Sequence, residues 1–158
     1  MVKLERIEDI LDQVQDTVEH LVAVGNRLLP DARILHIGSS SIPGALTKGD
    51  VDILVQVDNN EFAQARGTLD AHFAHNPEME PEELFVSYSG GFRGTDYGLQ
   101  LVGENENGFG FIALQQALLA NPALVERYNE VKLSACNGSM DTYRAAKTEF
   151  IEGVLGGT

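Results

Sequence analysis

The sequence predicts an α/β (α+β) fold in which helices flank a mixed β-sheet and a helical segment follows at about residues 109–155. Three observations lead to this prediction: an amphipathic helical pattern near the N-terminus, short β-branched runs bounded by turn residues, and a second helical pattern towards the end. The chain has 158 residues, of which 43% are hydrophobic, so it is large enough to bury a core. We therefore expect one domain spanning residues 1–158.

Helices and strands alternate through the first half of the chain. Apolar residues recur at helical spacing over residues 4–28, and this first helix is predicted to end before Pro30. Strands are predicted at 33–37 and 51–57, where β-branched residues cluster, and a helix is predicted at about 59–73. This alternation indicates a sheet covered by helices rather than a helical bundle.

The second half begins with strands and ends with helices. Strands are predicted at 84–88 and at about 97–102, on either side of a turn that contains Gly90 and Gly91. Beyond residue 108 the pattern is helical, and Asn-Pro and Asn-Gly pairs divide it. The predicted helices are at about 109–120, 122–136 and 140–155.

The chain is acidic along its whole length, with 24 Asp and Glu against 11 Lys and Arg and a net charge of −13. Such a surface repels nucleic-acid phosphates, which disfavours an extended DNA or RNA substrate but not a small nucleotide whose phosphates carry Mg²⁺. The N-terminal pattern is acidic, and no apolar run reaches the about 18 residues that span a membrane. A single cysteine, Cys136, fits a reducing compartment. We expect a cytoplasmic protein without a membrane partner, and the sequence leaves its oligomeric state open.

Two aspartates form the first candidate site. Asp50 and Asp52 stand at the start of the second predicted strand, where alternation places their carboxylates on one face about 6.6 Å apart. Carboxylates that close repel each other, and a hard divalent cation removes the repulsion. The pattern predicts a Mg²⁺ (or Mn²⁺) site with Asp50 and Asp52 as ligands and catalytic residues. The alternative is that both are solvent-facing positions of an edge strand.

A turn rich in small residues precedes this pair. Gly38 ends the first predicted strand, and Ser39 and Ser40 begin a predicted short helix. A helix N-terminus presents free backbone N–H groups and a partial positive charge, which together bind anions. Gly38, Ser39 and Ser40 are therefore predicted to hold phosphate, and the alternative is that Ser39 is only a helix cap.

The combination of Gly-Ser, ten residues and Asp-x-Asp resembles the signature of polymerase-β-type nucleotidyltransferases. Within that superfamily, His36–Gly44 with Lys48 is similar to the motif H-I-G-S-T-x-V-P-G of the GrpB family, which is followed there by K-P-x-x-D-I. The resemblance implies a small nucleotidyltransferase-type domain. Its implied activity is Mg²⁺-dependent transfer of a nucleoside monophosphate from a nucleoside triphosphate to a hydroxyl of a small molecule or a protein.

Two downstream segments extend the resemblance. Asn121–Tyr128 with Lys132 is similar to the family segment H-P-E-L-x-x-x-Y-x-x-x-K, and Tyr143–Ile151 is similar to its closing Y-x-x-x-K-x-x-F-I. Each segment places a tyrosine and a lysine four residues apart on one helical face. The resemblance implies that Lys147 first, then Lys132, reaches the phosphate site, where Lys48 is a further candidate. The alternative is a lysine that merely extends past a buried tyrosine to solvent.

One predicted strand departs from the family pattern. The family carries His-Leu-His-Val where this chain has Gly98–Val102, and active relatives often draw a third carboxylate from that region. Gln100 offers Mg²⁺ a carbonyl oxygen but no charge, and Asp96, on the same strand face, is a candidate substitute. The alternative function is therefore a non-catalytic nucleotide-binding or regulatory module with a degenerate site. An acidic interaction domain without a ligand would leave the paired aspartates unexplained.

The remaining chemically active residues favour structural roles. His36, between apolar neighbours on a central strand, is predicted to be a hydrogen-bonded core histidine. His72 and His75 lack further ligands nearby and indicate a helix end rather than a zinc site. Cys136 is predicted to serve packing. Arg93, in a glycine-rich stretch, is predicted to face the same cleft as the aspartates.

Overall fold

The computed structural model describes residues 2–156, apart from the side chains of residues 106 and 107. Its centre is a five-stranded mixed β-sheet flanked by helices, which confirms the predicted fold class. The strands are, in chain order, β1 (Glu5–Arg6), β2 (Arg33–Ile37), β3 (Leu46–Thr47), β4 (Val51–Gln56), β5 (Ala74–His75), β6 (Phe85–Phe92) and β7 (Thr95–Val102). The helices are α1 (Leu11–Leu28), α2 (Phe62–Asp70), α3 (Glu106–Ala120), α4 (Pro122–Ala135) and α5 (Met140–Gly156).

The strand order of the main sheet is β2-β4-β7-β6-β5, and β1 pairs with β3 in a separate ribbon. Strand β4 is antiparallel to β2 and parallel to β7, the central strand, while β6 is antiparallel to both of its neighbours. In the parallel pair, Asp52 lies beside Gly98 and Leu54 lies beside Gln100. Strand pairing thus brings together two regions that are far apart in the sequence.

The two faces of β4 contact different helices. Val51, Ile53 and Val55 are buried in a core cluster with side chains from α1 and α2. Leu54 points the other way, into a cluster that includes side chains of α3. Because side chains alternate along a strand, Asp52 shares the face of Leu54. It therefore points towards the layer formed by α3, α4 and α5.

The first helix begins later than the sequence predicts. The helical periodicity starts at residue 4, but Glu5–Arg6 forms β1 and pairs with β3. Ile7 then enters a 3-10 turn in which its N–H donates to the Ala45 carbonyl oxygen, and α1 begins at Leu11. Pairing with a distant strand overrides the local helical pattern and brings Glu5 to the edge of the site described below.

The predicted turn at Gly90 and Gly91 is wrong. Both glycines lie within β6, and the chain reverses at Arg93 and Gly94, whose φ angles of 50° and 84° are typical of a type I′ hairpin turn. In the β6–β7 pairing, Gly90 lies opposite Tyr97. A Cβ atom at Gly90 would lie 2.5 Å from the Tyr97 hydroxyl oxygen, so glycine here makes room for an aromatic ring.

The other helices lie close to their predicted positions. A 3-10 turn at Asn59–Glu61 precedes α2, which ends three residues earlier than predicted, at Asp70. The Asn-Pro signal before α4 corresponds to a cap, because the Asn121 side chain accepts a hydrogen bond from the Leu124 N–H at 3.3 Å. Within residues 2–156, no single helix is both long enough and apolar enough to cross a membrane.

Candidate functional site

Asp52 lies in a slot between two glycines. One is Gly38, just beyond β2, and the other is Gly98, its partner in β7. A Cβ atom at Gly38 would lie 2.7 Å from Oδ2 of Asp52, and one at Gly98 would lie 2.9 Å from Oδ1. Gly38 also has a φ angle of 79°, which disfavours any side chain. The sequence analysis selected Gly38 but missed Gly98, because only the strand pairing reveals its contact.

Asp50 stands just before β4 begins at Val51, so it lies outside the paired part of the strand. Its Oδ2 lies 3.5 Å from Lys48 Nζ. Burial raises the pKa of Asp52 to about 7, and repulsion from Asp50 adds to this rise. The charges of Lys147 and Lys48 act in the opposite direction, but they do not cancel the effect. Within the protein, the charged form of Asp52 is therefore disfavoured.

Gln100 lies on the strand next to Asp52. It is only 8% exposed, and its Oε1 has no hydrogen-bond partner among the described residues. A buried carbonyl oxygen without a partner is costly unless something else bonds to it. The orphaned oxygen is therefore available to a ligand, and an amide oxygen is suited to a hard cation.

The predicted short helix at the serine-rich turn is a single 3-10 turn, Ser39–Ser41. It lacks the dipole of a longer helix. Ser40 is buried, and its hydroxyl is hydrogen-bonded to Nε2 of His36 at 2.8 Å. Burial lowers the pKa of His36 to about 4, so the ring is neutral at neutral pH. The side chains of His36 and Ser40 are therefore hydrogen-bonded to each other, and Ser40 does not point at the candidate site.

Gln115 of α3 fixes the turn from the other side. Its Nε2 donates to the carbonyl oxygen of His36 at 2.6 Å and to the hydroxyl of Ser41 at 3.0 Å. Ser41 in turn donates to the carbonyl oxygen of Gly38 at 2.6 Å. The helix therefore holds the geometry of the turn, a role that sequence analysis missed because Gln115 belongs to no motif.

Lys132 is fully buried behind Ser39. Its Nζ donates to the Ser39 hydroxyl at 3.0 Å and to the carbonyl oxygen of Leu46, and it lies 4.3 Å from the centre of the Tyr128 ring. Burial lowers its pKa to about 7, and the nearby charge of Lys147 contributes. The structure thus does not support the predicted direct contact of Lys132 with phosphate. Its position fits holding Ser39 in place.

One cavity, of about 320 Å³, opens at the turn, and we call it the turn cavity. Its polar lining includes the turn and the charged residues of the site, and its apolar lining includes a wall of α3 side chains, those of Phe111, Leu114 and Leu118. The predicted site residues that line it are Gly38, Ser39, Lys48, Asp50, Asp52, Gln100 and Lys147. Ser40 and Lys132 do not line it, so two of the predicted phosphate contacts lie elsewhere.

A second cavity, of about 790 Å³, extends from the same carboxylates along the β6–β7 hairpin, and we call it the hairpin cavity. Both cavities are lined by Lys48, Asp50, Asp52, Asn76, Gln100 and Arg144. Arg144, which lies on α5 and lines both cavities, was not predicted from the sequence. A further cavity of about 790 Å³, between α3, α4 and α5, contains none of the predicted site residues.

The remaining candidates occupy other positions. Asp96 lines the hairpin cavity but not the turn cavity. The guanidinium of Arg93 lies 5.0 Å from the centre of the Phe92 ring, and Arg93 lines neither cavity. The predicted contact of Arg93 with the cleft is therefore not supported. The Cys136 thiol donates to the carbonyl oxygen of Leu133 at 3.1 Å.

Comparison with known proteins adds close relatives. A family model described as GrpB protein matches residues 5–156. A UPF0157 protein of Vibrio cholerae serotype O1 is 42% identical over 132 residues, which are 82% of this chain and 69% of that protein. The crystal structure of conserved protein GrpB from Enterococcus faecalis is similar with a TM-score of 0.72 at 18% identity, over 98% of both chains.

The fold is also similar to that of Cid1 poly(U) polymerase. A Cid1 structure with bound MgGTP has a TM-score of 0.55 at 16% identity, over 82% of this chain and 42% of the Cid1 chain. A complex of Cid1 with the UTP analogue UMPNPP has a TM-score of 0.56 at 14% identity, over 90% and 48%. This likeness shows a nucleotidyltransferase-like fold. The family match and the 42% identical relative show more, namely that the chain belongs to the GrpB family.

Proposed function

We propose that this protein is a nucleotidyltransferase that depends on Mg²⁺ or Mn²⁺. It transfers a nucleoside monophosphate from a nucleoside triphosphate to a hydroxyl of a small molecule or a protein. The observation that carries the proposal is the convergence of Asp50, Asp52 and the orphaned Gln100 oxygen on the cavity that also contains Ser39 and Lys147. The nucleotidyltransferase-like fold supports it.

The oxygen donors of the site fit a hard cation. Asp50 and Asp52 supply carboxylates, and Gln100 supplies an amide oxygen that lacks a partner in the described chain. Mg²⁺ is commonly held by one or two carboxylates together with substrate phosphates. The described residues include no group of three or more His, Cys, Asp or Glu that could hold a metal ion. Asp50, Asp52 and Gln100 would supply part of the coordination, and nucleotide phosphates and water would complete it; when bound, the cation would neutralise phosphate charge.

Ser39 and Lys147 form the phosphate side of the turn cavity. The hydrogen bond from Lys132 fixes the Ser39 hydroxyl, which can then bond to a phosphate oxygen. Burial lowers the pKa of Lys147, and the charge of Lys48 lowers it further. An anion beside an amine favours the protonated form, so a bound triphosphate stabilises the ammonium that the empty protein disfavours. The apolar α3 wall of the cavity accommodates the sugar and base.

The transfer requires no further co-reactant. The acceptor oxygen bonds to the α-phosphorus, and the bond from the α-phosphorus to the oxygen that leads to the β-phosphate breaks. Pyrophosphate leaves with the electron pair of that bond, and the proton of the hydroxyl passes to water. Asp50 and Asp52 orient the phosphates during this displacement, and Lys147 balances the charge of the leaving group.

A nucleotide-binding module without catalytic activity is the second candidate, and Gln100 favours it. A carboxylate at this position would help to hold a second cation that activates the acceptor hydroxyl. Such activation of a hydroxyl by proton removal is typically worth about 10² to 10⁴ in rate. Gln100 provides an oxygen without that charge, so the protein can bind a nucleotide and still transfer it slowly.

Calorimetry and a pyrophosphate assay separate the two functions. The α,β-methylene analogues of ATP, GTP, CTP and UTP are titrated in Mg²⁺ and in EDTA, and at least one should bind about tenfold more tightly with Mg²⁺. Pyrophosphate release is then measured with the matching natural triphosphate and hydroxyl acceptors. Mg²⁺-dependent binding with no release from any acceptor supports the binding module. Absence of Mg²⁺-dependent binding of all four analogues contradicts both functions.

A further inference from the structure

The two cavities differ in charge beyond the wall that they share. The turn cavity adds Lys147 and no further carboxylate among its described lining residues. The hairpin cavity adds three carboxylates, those of Glu5, Glu78 and Asp96, and no further lysine or arginine among the described residues that line it. The two cavities that share Asp52 therefore differ in the sign of the charge that each adds to the shared wall.

The cations of the shared wall do not neutralise the hairpin cavity. Lys48 is paired with Asp50 at 3.5 Å, and Arg144 is paired with Glu78 at 2.5 Å. The exposed side chain of Asp96 has no ion-pair partner within 4.0 Å among the described residues. Two positive charges thus face five carboxylates in this cavity, and its net charge is negative.

The buried amide of Gln100 is an observation, independent of the charges, that points to a ligand at the wall shared by the two cavities. It lines both cavities, is more than nine-tenths buried, and leaves its Oε1 without a partner among the described residues. A carboxylate cluster alone is commonly a solvated surface, but a buried acceptor without a donor is costly to maintain. A donor or cation brought by a ligand removes that cost.

We propose that the hairpin cavity is the acceptor site and that the acceptor is a small polyhydroxylated amine. Its ammonium lies near Asp96 and Glu78, and one of its hydroxyls lies next to Asp52, where the α-phosphorus is held. A cavity of about 790 Å³ has room for such a molecule. This inference rests on the proposed nucleotidyl transfer and names the substrate class of that reaction.

Charge is the basis of the selectivity. An acceptor with a carboxylate or phosphate is repelled by the three carboxylates that only the hairpin cavity contains, as well as by the triphosphate beside it. A neutral polyol gains hydrogen bonds but no ion pair. A cationic acceptor gains an attraction that the turn cavity, with Lys147, does not offer, so it is directed to the correct side of Asp52.

Three probes with the same six-carbon chain test this selectivity. Glucamine, sorbitol and gluconate differ only at one terminal carbon, which bears an ammonium in glucamine, bears a hydroxyl in sorbitol and is itself the carboxylate carbon in gluconate. Each is titrated into the ¹⁵N-labelled full chain, with and without Mg²⁺ and an α,β-methylene triphosphate, and amide shifts are followed by NMR. Glucamine should bind about fivefold more tightly than sorbitol and should shift the amide signals of Asp96 and Gly98. Gluconate should bind most weakly.

A pair of variants with the same change in charge locates the ammonium. Asp96→Asn should weaken glucamine binding about fivefold and weaken sorbitol binding by much less, because sorbitol carries no charge. The control is Glu126→Gln, because Glu126 is exposed on α4 and lines neither cavity. Glucamine that binds no better than sorbitol, or equal effects of the two substitutions, would overturn the inference.

The same measurements separate this inference from the proposed function. If nucleotide binding and pyrophosphate release are observed but glucamine has no advantage over sorbitol, transfer stands and the amine acceptor is wrong. If no nucleotide binds but glucamine binds at Asp96 with the expected selectivity, the hairpin cavity binds an ammonium group, but its role as an acceptor site is wrong. Support for both requires that glucamine also accelerate pyrophosphate release more than sorbitol does.

Discussion

Asp52 on β4 and Asp70 at the end of α2 both belong to polar clusters, but only one cluster is complete. Oδ1 of Asp70 accepts hydrogen bonds from Nε2 of His75 and from the hydroxyl of Tyr88, both at 2.7 Å. These bonds lower the pKa of Asp70, with that from His75 contributing most. The pKa of Asp52 is instead raised, by burial and by Asp50. The same residue type is stabilised as a carboxylate in one place and destabilised in the other.

The difference separates a structural cluster from a candidate functional one. The donors around Asp70 come from the protein, so a ligand would have nothing to add. Around Asp52 the protein supplies a second carboxylate and an orphaned amide oxygen, and burial disfavours the charged form of Asp52. Under the proposed function, a cation with its nucleotide would stabilise that charged form. Strongly perturbed carboxylates in a cleft are therefore good candidates for function, whereas a paired carboxylate is not.

The largest effect is expected from the aspartate at the incomplete cluster. Asp52→Asn should weaken Mg²⁺-dependent binding of an α,β-methylene triphosphate about a hundredfold, because one of the two charged ligands is lost. Without metal, the melting temperature should be equal or higher, because the substitution removes the repulsion with Asp50. Calorimetry and thermal denaturation measure the two quantities.

The matched control is Asp70→Asn in the complete cluster. It should leave nucleotide affinity unchanged and lower the free energy of unfolding by about 1 kcal/mol, because hydrogen bonds from His75 and Tyr88 to a charged acceptor are weakened. An Asp52→Asn variant that binds metal and nucleotide like the wild type would break the comparison between the two clusters.

The second prediction changes the orphaned amide into a charge. Gln100→Glu should raise the rate of pyrophosphate release about tenfold with little change in nucleotide affinity, because a third carboxylate can help to hold a second cation. In EDTA the variant should melt at a lower temperature than the wild type, since a third buried carboxylate adds repulsion, and Mg²⁺ should reverse the difference. The near-isosteric control Gln100→Met removes the oxygen without adding charge.

The outcome also tests the alternatives for the third acid. If the wild type already releases pyrophosphate rapidly and Gln100→Glu adds nothing, Asp96 is the first candidate to supply the missing charge. If neither form transfers while both bind nucleotide tightly, the binding module is the better description of the protein.

The third prediction concerns the dependence of stability on pH, which has opposite signs for Asp52 and Asp70. The folded state raises the pKa of Asp52 from 3.8 to about 7, so its ionisation lowers the stability as the pH rises through this range. In EDTA, the gain in melting temperature from Asp52→Asn should therefore be about 2–4 °C larger at about pH 8 than at about pH 4. The folded state lowers the pKa of Asp70, so its contribution is present above its unfolded pKa and is lost as the pH falls.

Thermal denaturation of Asp70→Asn checks the opposite sign. The side chain of Asp70 is 40% exposed, so the effect should be smaller than that of Asp52. The destabilisation should be seen at neutral pH and should shrink in acid. Parallel pH profiles for the two variants would mean that Asp52 is not destabilised as a carboxylate.

Local signals predicted much of the fold and of the site. The helices after residue 108 follow from periodicity and from the Asn-Pro signal at Asn121, both of which act within one segment. The association of Gly38 and Ser39 with Asp50 and Asp52 also follows from spacing, because two antiparallel strands connected by a short segment place these residues at the same end of the sheet. Their roles in binding remain predictions.

Features that depend on distant contacts could not be predicted from one sequence. Gly90 was predicted in a turn, but it lies in a strand, where a side chain would clash with the ring of Tyr97 on the next strand. Gly98 is constrained in the same way, because a side chain there would clash with Asp52. The burial of Lys132 could not be predicted either, because a lysine four residues after a tyrosine gives the same pattern whether its amine is exposed or enclosed.

The smallest effect is expected within the serine-rich turn, where two neighbouring serines point in different directions. Ser39 lines the turn cavity and is held by Lys132, whereas Ser40 is buried against His36. Ser39→Ala should weaken triphosphate binding about fivefold, because one hydrogen bond to phosphate is lost. Ser40→Ala should leave binding unchanged and lower the melting temperature by about 2–4 °C, because it leaves the neutral ring of His36 without a partner. Calorimetry and thermal denaturation of the two variants check both effects, and an equal loss of affinity in the two would mean that the turn presents backbone groups rather than the Ser39 hydroxyl to the nucleotide.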